Sequence, residues 1–435
     1  MLFIHQLWIN GESMKKTPSC EMINIMQIRA FCQVAAHGTV SRAADNLFRT
    51  QSAITRSIRD LEHSLSLKLF ERHASGMLLT EFGKCILPRA RHAIDELCAI
   101  PKIIASVRGK EIAGREFAEP IWLYNTRRLE VFMALFQVHH TQTVANMFHV
   151  SQPAVSAALK MLEKGAGLAL FQRTPKGMMP TRAGQEIASN ISRTLNELRH
   201  IPADIAASQG ILRGTVSIGA LPLGRTRLLP EAILSLLASY PGVNVITNES
   251  AFTALISELR AGNVDFIFGA LREGVADITN EALFTEEMVI LARRDHPLSR
   301  GTVSVEQLAA AQWILPRAAT PARKLLSQAF GQLGIAEPQP LVETGDLAIT
   351  RSLLLNSEMI TAISSHQLEY ELAAGVLVKL PVELPDTHRA IGLTWRQGAL
   401  HSPAAQALLQ AIRDVVSKYR PAPQETESYS LPATE

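Results

Sequence analysis

Gln51, Ser52, Thr55, Arg56 and Arg59 lie in QSAITRSIRDLEHSL, where Ala53, Ile54, Ile58, Leu61 and Leu65 recur at helical spacing. One face of such a helix is apolar, and the other carries amide, hydroxyl and guanidinium groups. An amide can bond adenine through two contacts, a guanidinium suits guanine, and a hydroxyl suits a base or a phosphate. Placed at the start of a helix, these groups can read base edges from the DNA major groove. Gln152, Pro153, Ser156 and Lys160 take the matching positions in QPAVSAALKMLEKG. Arg72 and Arg173 follow each helix, placed to reach a phosphate or the minor groove. The alternative for every one of these residues is an ordinary solvated helix face.

The two sets belong to an internal repeat. Shifted by 101 residues, 28–105 overlies 129–206 without a gap. Phe31/Phe132, Gln51/Gln152, Glu62/Glu163, Phe70/Phe171, Arg72/Arg173, Gly76/Gly177, Gly83/Gly184, Leu97/Leu198 and Pro101/Pro202 are identical pairs. Each copy reads alike. IRAFCQVAAHG is a helix stopped by Gly38, and Ser41 is the expected N-cap of RAADNLF. Thr50 caps the helix that follows after a very short turn, the helix-turn-helix signature. LKLFERHASGMLLT is a strand, a turn around Gly76 and a second strand, the wing of a winged helix. A longer amphipathic segment runs from Gly83 to about Val107. Copy two repeats this, with Ser151 as cap and Pro153 in the first helical turn.

The chain has 435 residues, enough for two to four domains at roughly 100–200 residues each. Apolar residues make up 47%, which excludes global disorder. Cysteines stand at 20, 32, 85 and 98, a spacing that gives neither a disulfide scaffold nor a zinc site. No apolar run of about 18 residues is present, so no membrane span is expected. The first 22 residues do not fit a signal peptide, Met14, Met22 and Met26 are alternative starts, and a cytoplasmic protein is expected. Residues 26–98 carry 10 Lys/Arg against 7 Asp/Glu, and 127–199 carry 9 against 4. Residues 211–420 carry 18 against 20, so the positive excess sits where a polyanion would be met.

Past Gly210 the pattern changes to short apolar strands alternating with helices. TVSIGA, VNVIT and VDFIFGA are strands, and LLPEAILSLLASY and FTALISELRAG are helices, which makes an α/β domain. MVILAR is expected to end a first lobe. WILP, TPARKLLSQAFGQLG, LAITRSLLLN, MITAIS and VLVKLP build a second, and AIGLTW with PAAQALLQAIRDVVSKY returns to the first.

The stretch SQPAVSAALKMLEKGAGLALFQR, and its counterpart from AFCQVAAHG to LLTEFG, resembles the N-terminal domain of LysR-type transcriptional regulators. The departure is the duplication, since the usual member has one such domain. The rest resembles the LysR effector domain. The resemblance implies a multidomain fold: two all-α-rich winged helix-turn-helix domains, then an α/β bilobal effector domain like periplasmic binding proteins. The expected division is an N-terminal tail (1–25), the first winged helix (26–82), a first linker helix and connector (83–126), the second winged helix (127–181), a second linker helix (182–210), the effector domain (211–420) and a disordered tail (421–435).

A ligand between lobes would meet strand ends and helix N-termini. The candidates are Leu221, Pro222, Leu223, Ser250 and Ala251 in the first lobe, and Thr320, Pro321, Arg323, Thr344 and Ser364 in the second. Free N–H groups there, with Arg323, favour an anionic effector. WILPRAATPAR resembles regulators that respond to sugars or aromatic acids. Partners implied are double-stranded DNA, a small-molecule effector, a second or fourth copy of the chain, and RNA polymerase; no cofactor, metal or membrane is expected. In an alternative, one winged helix, copy two for preference with its Gly165 and Gly167, serves as a protein-interaction or dimerisation surface. An enzyme is not expected: GxSxG, GxGxxG, Walker A and HExxH are all absent, and His366 with Glu369 reads as a surface pair.

Overall fold

A computed structural model describes residues 22–74, 76–109, 117–318 and 320–419. Most of the N-terminal tail and the C-terminal tail fall outside these residues. Among them the chain falls into two units, one built from residues up to Gly214 together with Arg260–Asn263 and one from the rest of the α/β part.

In the first unit each copy forms three helices and a hairpin, here called a head. Head one comprises α1 (Ile25–His37), α2 (Val40–Asn46), α3 (Gln51–Leu65), β1 (Phe70–His73) and β2 (Gly76–Leu79). Head two comprises α4 (Thr126–Val138), α5 (Thr141–Met147), α6 (Gln152–Ala166), β3 (Phe171–Thr174) and β4 (Gly177–Pro180). Thr50 and Ser151 cap α3 and α6, each accepting from the amide three residues on. Gly38 ends α1 in the left-handed conformation. One expected cap is corrected. Thr39, whose backbone is extended, caps α2 by accepting from Arg42 N, and Ser41 lies inside the first turn, where its hydroxyl accepts from Gln51.

Each head continues into a 27-residue linker helix, Glu81–Val107 (L1) and Arg182–Ser208 (L2). L1 and L2 pack against each other in opposite directions. Ile86, Ala90, Ala93, Leu97, Ile100 and Ile104 are buried on L1, and Ile187, Ile191, Thr194, Leu198, Ile201 and Ile205 on L2. Both sets step by four and three residues, the spacing of a coiled-coil seam. The seam joins both heads into one continuous apolar core.

Charged groups flank the seam in two reciprocal clusters. Glu96 accepts from Arg193 (2.6 and 2.7 Å) and from Asn190 (2.8 Å). Glu197 accepts from Arg89 (2.6 Å) and lies 2.8 Å from His92 Nδ1. Every residue of the first cluster is 101 positions from its counterpart in the second. Equivalent residues also touch directly: Thr194 Oγ1 donates to Ala93 O, and Ile25 N donates to Thr126 Oγ1. A reciprocal contact of this kind requires a two-fold relation between the copies. Arg89 departs from the symmetry by also donating to Asp204 (2.5 and 3.1 Å).

The second unit carries two five-stranded sheets. The first has the order β6-β5-β7-β14-β8, with β5 (Gly214–Ala220), β6 (Val243–Asn248), β7 (Phe266–Ala270), β8 (Ile278–Glu286) and β14 (Arg389–Arg396). The second has the order β11-β10-β12-β9-β13, with β9 (Met288–Arg293), β10 (Gln312–Leu315), β11 (Val342–Glu343), β12 (Met359–Ser364) and β13 (Leu377–Glu383). The helices here are α7 (Leu228–Ser239), α8 (Phe252–Ala261), α9 (Val305–Ala310), α10 (Pro321–Gln332), α11 (Leu347–Asn356), α12 (Glu369–Ala373) and α13 (Pro403–Tyr419). Two differences from expectation stand out. MVILAR is β9, which lies inside the second sheet, antiparallel to β12 and β13. The sequence reading also passed over β8, a polar edge strand antiparallel to β14.

Truncating Arg89 would leave the buried Glu197 and the half-buried Asp204 without their guanidinium. Arg89→Ala is expected to cost the first unit about 3–5 kcal/mol, read by chemical denaturation. The unit also carries an acid-sensitive group. Burial, reinforced by the positive Arg89, lowers His200 to about 4 from 6.5. Between these values the unfolded chain binds the proton and the folded chain does not, so stability falls as the pH drops from about 6.5 to 4. His200 contributes about 3 kcal/mol to that loss. Denaturation midpoints measured at pH 7 and pH 4.5 should differ less in His200→Gln than in the parent.

Candidate nucleic-acid interface and effector site

Helix α3 buries Ile54, Ile58 and Leu61 and leaves Gln51, Ser52, Arg56 and Arg59 exposed, with Thr55 half-buried. The Arg56 side chain is 83% exposed, and its ion pair among the described residues is with Asp60 at 3.6 Å. Helix α6 buries Val155, Leu159 and Leu162 and leaves Pro153 and Lys160 exposed, with Gln152 and Ser156 half-buried. Gln152 Nε2 lies 3.1 Å from Ser156 Oγ and 3.4 Å from Thr141 Oγ1, hydroxyl partners that a base edge can replace. Arg72 and Arg173 are exposed at the third position of β1 and β3. Each head thus brings the residues expected to meet DNA together on one open face.

The identical Glu62 and Glu163 explain why the wing is held where it is. Glu62 Oε1 accepts from the amides of Leu69 (2.9 Å) and Phe70 (3.3 Å), and Glu163 Oε1 accepts from Leu170 and Phe171 at the same distances. Each carboxylate ties the end of a recognition helix to the first wing strand. Gly83 and Gly184 let each linker helix pass close to a wing carbonyl, Leu69 O and Leu170 O, where a Cβ would overlap. Gly165 also has a packing role, because the Trp122 ring of the connector lies where its Cβ would be. Gly167 is the left-handed C-cap of α6.

In the α/β unit the candidates gather at two sheet ends. Strand β5 is parallel to β7, and β14 is antiparallel to β7 and β8. Leu221 after β5, Arg272 after β7, Glu286 closing β8 and Arg389 opening β14 therefore share one end of the first sheet. The chain crosses to the second sheet directly after Glu286 and returns directly before Arg389. Strand β9 starts at the crossing, and Ser364 of β12 pairs in register with Met288. Because β10, β11 and β12 are parallel, Thr320, Thr344 and Ser364 follow or close strands at the matching end of the second sheet. Thr226 Oγ1 donates to His366 O and Arg227 pairs with Glu369, so the two lobes touch here.

Individual candidates differ in what they can offer. Pro222 is half-buried, Ser250 bonds Asn248, and the Ala251 carbonyl accepts the first amides of α8. Leu221 and Leu223 are buried. Ser364 Oγ accepts from His366 N, and Thr344 Oγ1 accepts from Asp346 N. Thr320 is the N-cap of α10, with Pro321 in its first turn. Arg323 is buried and committed: it donates to Glu337 (2.5 Å), Glu343 (3.3 Å) and Pro316 O (3.1 Å). A carboxylate ligand would have to displace these acidic side chains. The sequence reading missed Arg272. Its guanidinium lies 5.3 Å from the centre of the Phe252 ring, donates only to backbone carbonyls among the described contacts, and makes no ion pair there. Burial, with the neighbouring Arg389, lowers its pKa. It was missed because only the fold sets residue 272 beside residue 252.

Two winged helix-turn-helix heads on a bilobal α/β domain define the class: a DNA-binding transcriptional regulator with a ligand-binding domain. The bacterial regulatory helix-turn-helix, lysR family, matches residues 25–84 and 126–185, and the LysR substrate binding domain matches residues 209–417. The chain belongs to the LysR family. It is 50% identical, over 92% of its length and 98% of the relative's, to the HTH-type transcriptional regulator GalR of Pseudomonas putida. It is 29% identical to the regulator PcaQ of Agrobacterium fabrum over 67% of this chain and 95% of that one. A full-length, singly substituted OxyR of Pseudomonas aeruginosa shares the fold, with a TM-score of 0.53 at 23% identity over 67% of this chain and 94% of that one. CbnR complexed with its target DNA gives 0.50 at 20% identity over 67% and 99%. The relatives are named as regulators, and this chain is a regulator rather than an enzyme. No helix among the described residues is long and apolar enough to cross a membrane.

Proposed function

We propose that both heads grip double-stranded DNA and that a small anionic effector, a sugar acid or aromatic acid, binds between the lobes and alters that grip. The observation that carries the DNA reading is the pair of open polar faces on α3 and α6, each backed by a buried apolar stripe. The heads differ in strength of readout. Arg56 and Arg59 give head one two guanidinium groups, where head two has Ala157 and Lys160. Head one is the sharper base reader and head two leans on phosphate. Removing a base-reading arginine costs about 1–3 kcal/mol and relaxes specificity at one position, whereas removing a phosphate contact lowers the salt slope by about 1. Arg56→Ala should therefore blur a selected binding motif, and Lys160→Ala should chiefly flatten the salt dependence, both read by fluorescence anisotropy. Unchanged binding in both variants would sink the DNA assignment.

For the effector, Arg272 beside Phe252 supports an anion with a flat or apolar body: the guanidinium takes the carboxylate and the ring takes the rest. Arg323 is the weaker candidate, because Glu337 and Glu343 already hold it. Residues 211–420 contain no cysteine, so a thiol in this domain is not the sensor. Arg272→Met should weaken binding of aromatic or sugar acids about 10–100-fold in calorimetric titration, while leaving a neutral analogue unaffected. Pairing of copies into a homodimer or homotetramer, and contact with RNA polymerase, belong to the same proposal. A second reading, with head two as a protein-interaction surface, is favoured by the exposed Met161 next to Ala157 and Lys160. DNA binding insensitive to Lys160→Ala and Arg173→Ala together would favour it.

A further inference from the structure

We propose that a single chain supplies a complete two-headed DNA clamp, which reads two unlike half-sites in fixed order, so that the site occupied by one chain is directional and not palindromic. This rests on the reading that both heads contact DNA. Three observations carry it. First, the two-fold relation is closed within one chain. Equivalent residues meet at Ile25/Thr126 and Ala93/Thr194, and the Glu96 and Glu197 clusters answer each other. Points related by a two-fold axis stand at the same height along it, so the recognition helices α3 and α6 stand level, one to each half-site.

Second, the pairing of L1 with L2 is better satisfied than either helix with its own kind. Asp204 faces Arg89 across the seam. The repeat places Ile103 where L2 has Asp204, and Asn190 where L1 has Arg89. In an L1–L1 pair Arg89 would keep one carboxylate, Glu96 in the place of Glu197, but would meet Ile103 in place of Asp204. In an L2–L2 pair the largely buried Asp204 would meet Asn190 in place of a guanidinium. A carboxylate left without its guanidinium is disfavoured, and the Asp204–Arg89 pair forms only between L1 and L2, so this one unshared ion pair favours the mixed pairing. Third, the route from head one to head two lies along the pair. Arg108, at the end of L1, donates to Ala166 O at the end of α6, and Trp122 packs on Gly165. L1 therefore ends at head two, on the same α6 end that Trp122, shortly before α4, packs against.

The reading faces are unequal, Arg56 and Arg59 against Ala157 and Lys160, so the two half-sites are unequal as well. The test uses full-length chains. Binding-site selection on the parent should return a motif with two different halves, and Arg56→Ala with Arg59→Ala should blur one half only. Co-expression then separates cis from trans pairing. One chain carries Arg56→Ala and Arg59→Ala; the other carries Gln152→Ala, Lys160→Ala and Arg173→Ala. Each variant alone should bind the selected site about tenfold or more weakly. The co-expressed mixture should keep that loss, because every clamp contains one damaged head. Two identical inverted half-sites within the segment that one chain occupies, blurring of both halves of that segment, or recovery of parental affinity in the mixture would overturn the proposal. Failure of the parent to select any motif would instead bring down the DNA reading beneath it.

Discussion

L1 and L2 hold each other through an apolar seam edged by buried charge, and the placement of both heads follows from that contact. Each helix is 27 residues long, about 40 Å at 1.5 Å per residue. The seam residues supply burial, which is non-directional and would tolerate slippage by a heptad. The flanking carboxylates do not tolerate it. Glu96 needs Arg193 and Asn190 opposite it, and Glu197 needs Arg89 and His92. Burial pushes the Glu197 carboxyl up, and the bonds from His92 and Arg89 more than offset this, holding it below the usual carboxylate range. Buried ion pairs add little net stability, so their physical contribution here is register.

Once the register is set, each head needs only local devices to present the polar face of its third helix. A carboxylate fastens the wing, and a glycine lets the linker helix approach the wing backbone. Both devices occur at the same place in the two copies, Glu62 with Gly83 and Glu163 with Gly184. On the open face, free of these duties, Arg56 stands against Ala157 and Arg59 against Lys160, while Gln51 and Gln152 are alike. Scaffold residues are constrained by packing and backbone hydrogen bonds, whereas the open face is constrained only by what it meets.

The α/β unit divides its residues in the same manner. The two crossings, after Glu286 and before Arg389, bring one end of each sheet to face the other lobe. Polar groups collected there include several that are already satisfied. Arg323 has two carboxylates, Ser364 holds a backbone amide, and Thr320 caps a helix. Arg272 differs in that its hydrogen bonds among the described residues go to carbonyls of its own segment, while an aromatic ring lies under its charge.

By itself the sequence determined the repeat, the helix-turn-helix and wing of each copy, most caps, and the polar faces of α3 and α6. These are local matters: periodicity, capping side chains and glycines act within a few residues. The seam was also latent in it, since Ile86, Ala90, Ala93, Leu97, Ile100 and Ile104 already step by four and three. Only the tertiary structure decided which helix each seam meets, because pairing depends on charges about a hundred residues apart, such as Arg89 with Asp204. It also moved MVILAR into the second lobe and revealed β8, since strand partnership is a long-range choice that a polar edge strand barely signals. For the same reason it committed Arg323 to its own chain and set Arg272 against Phe252, proximities that no spacing in the sequence encodes.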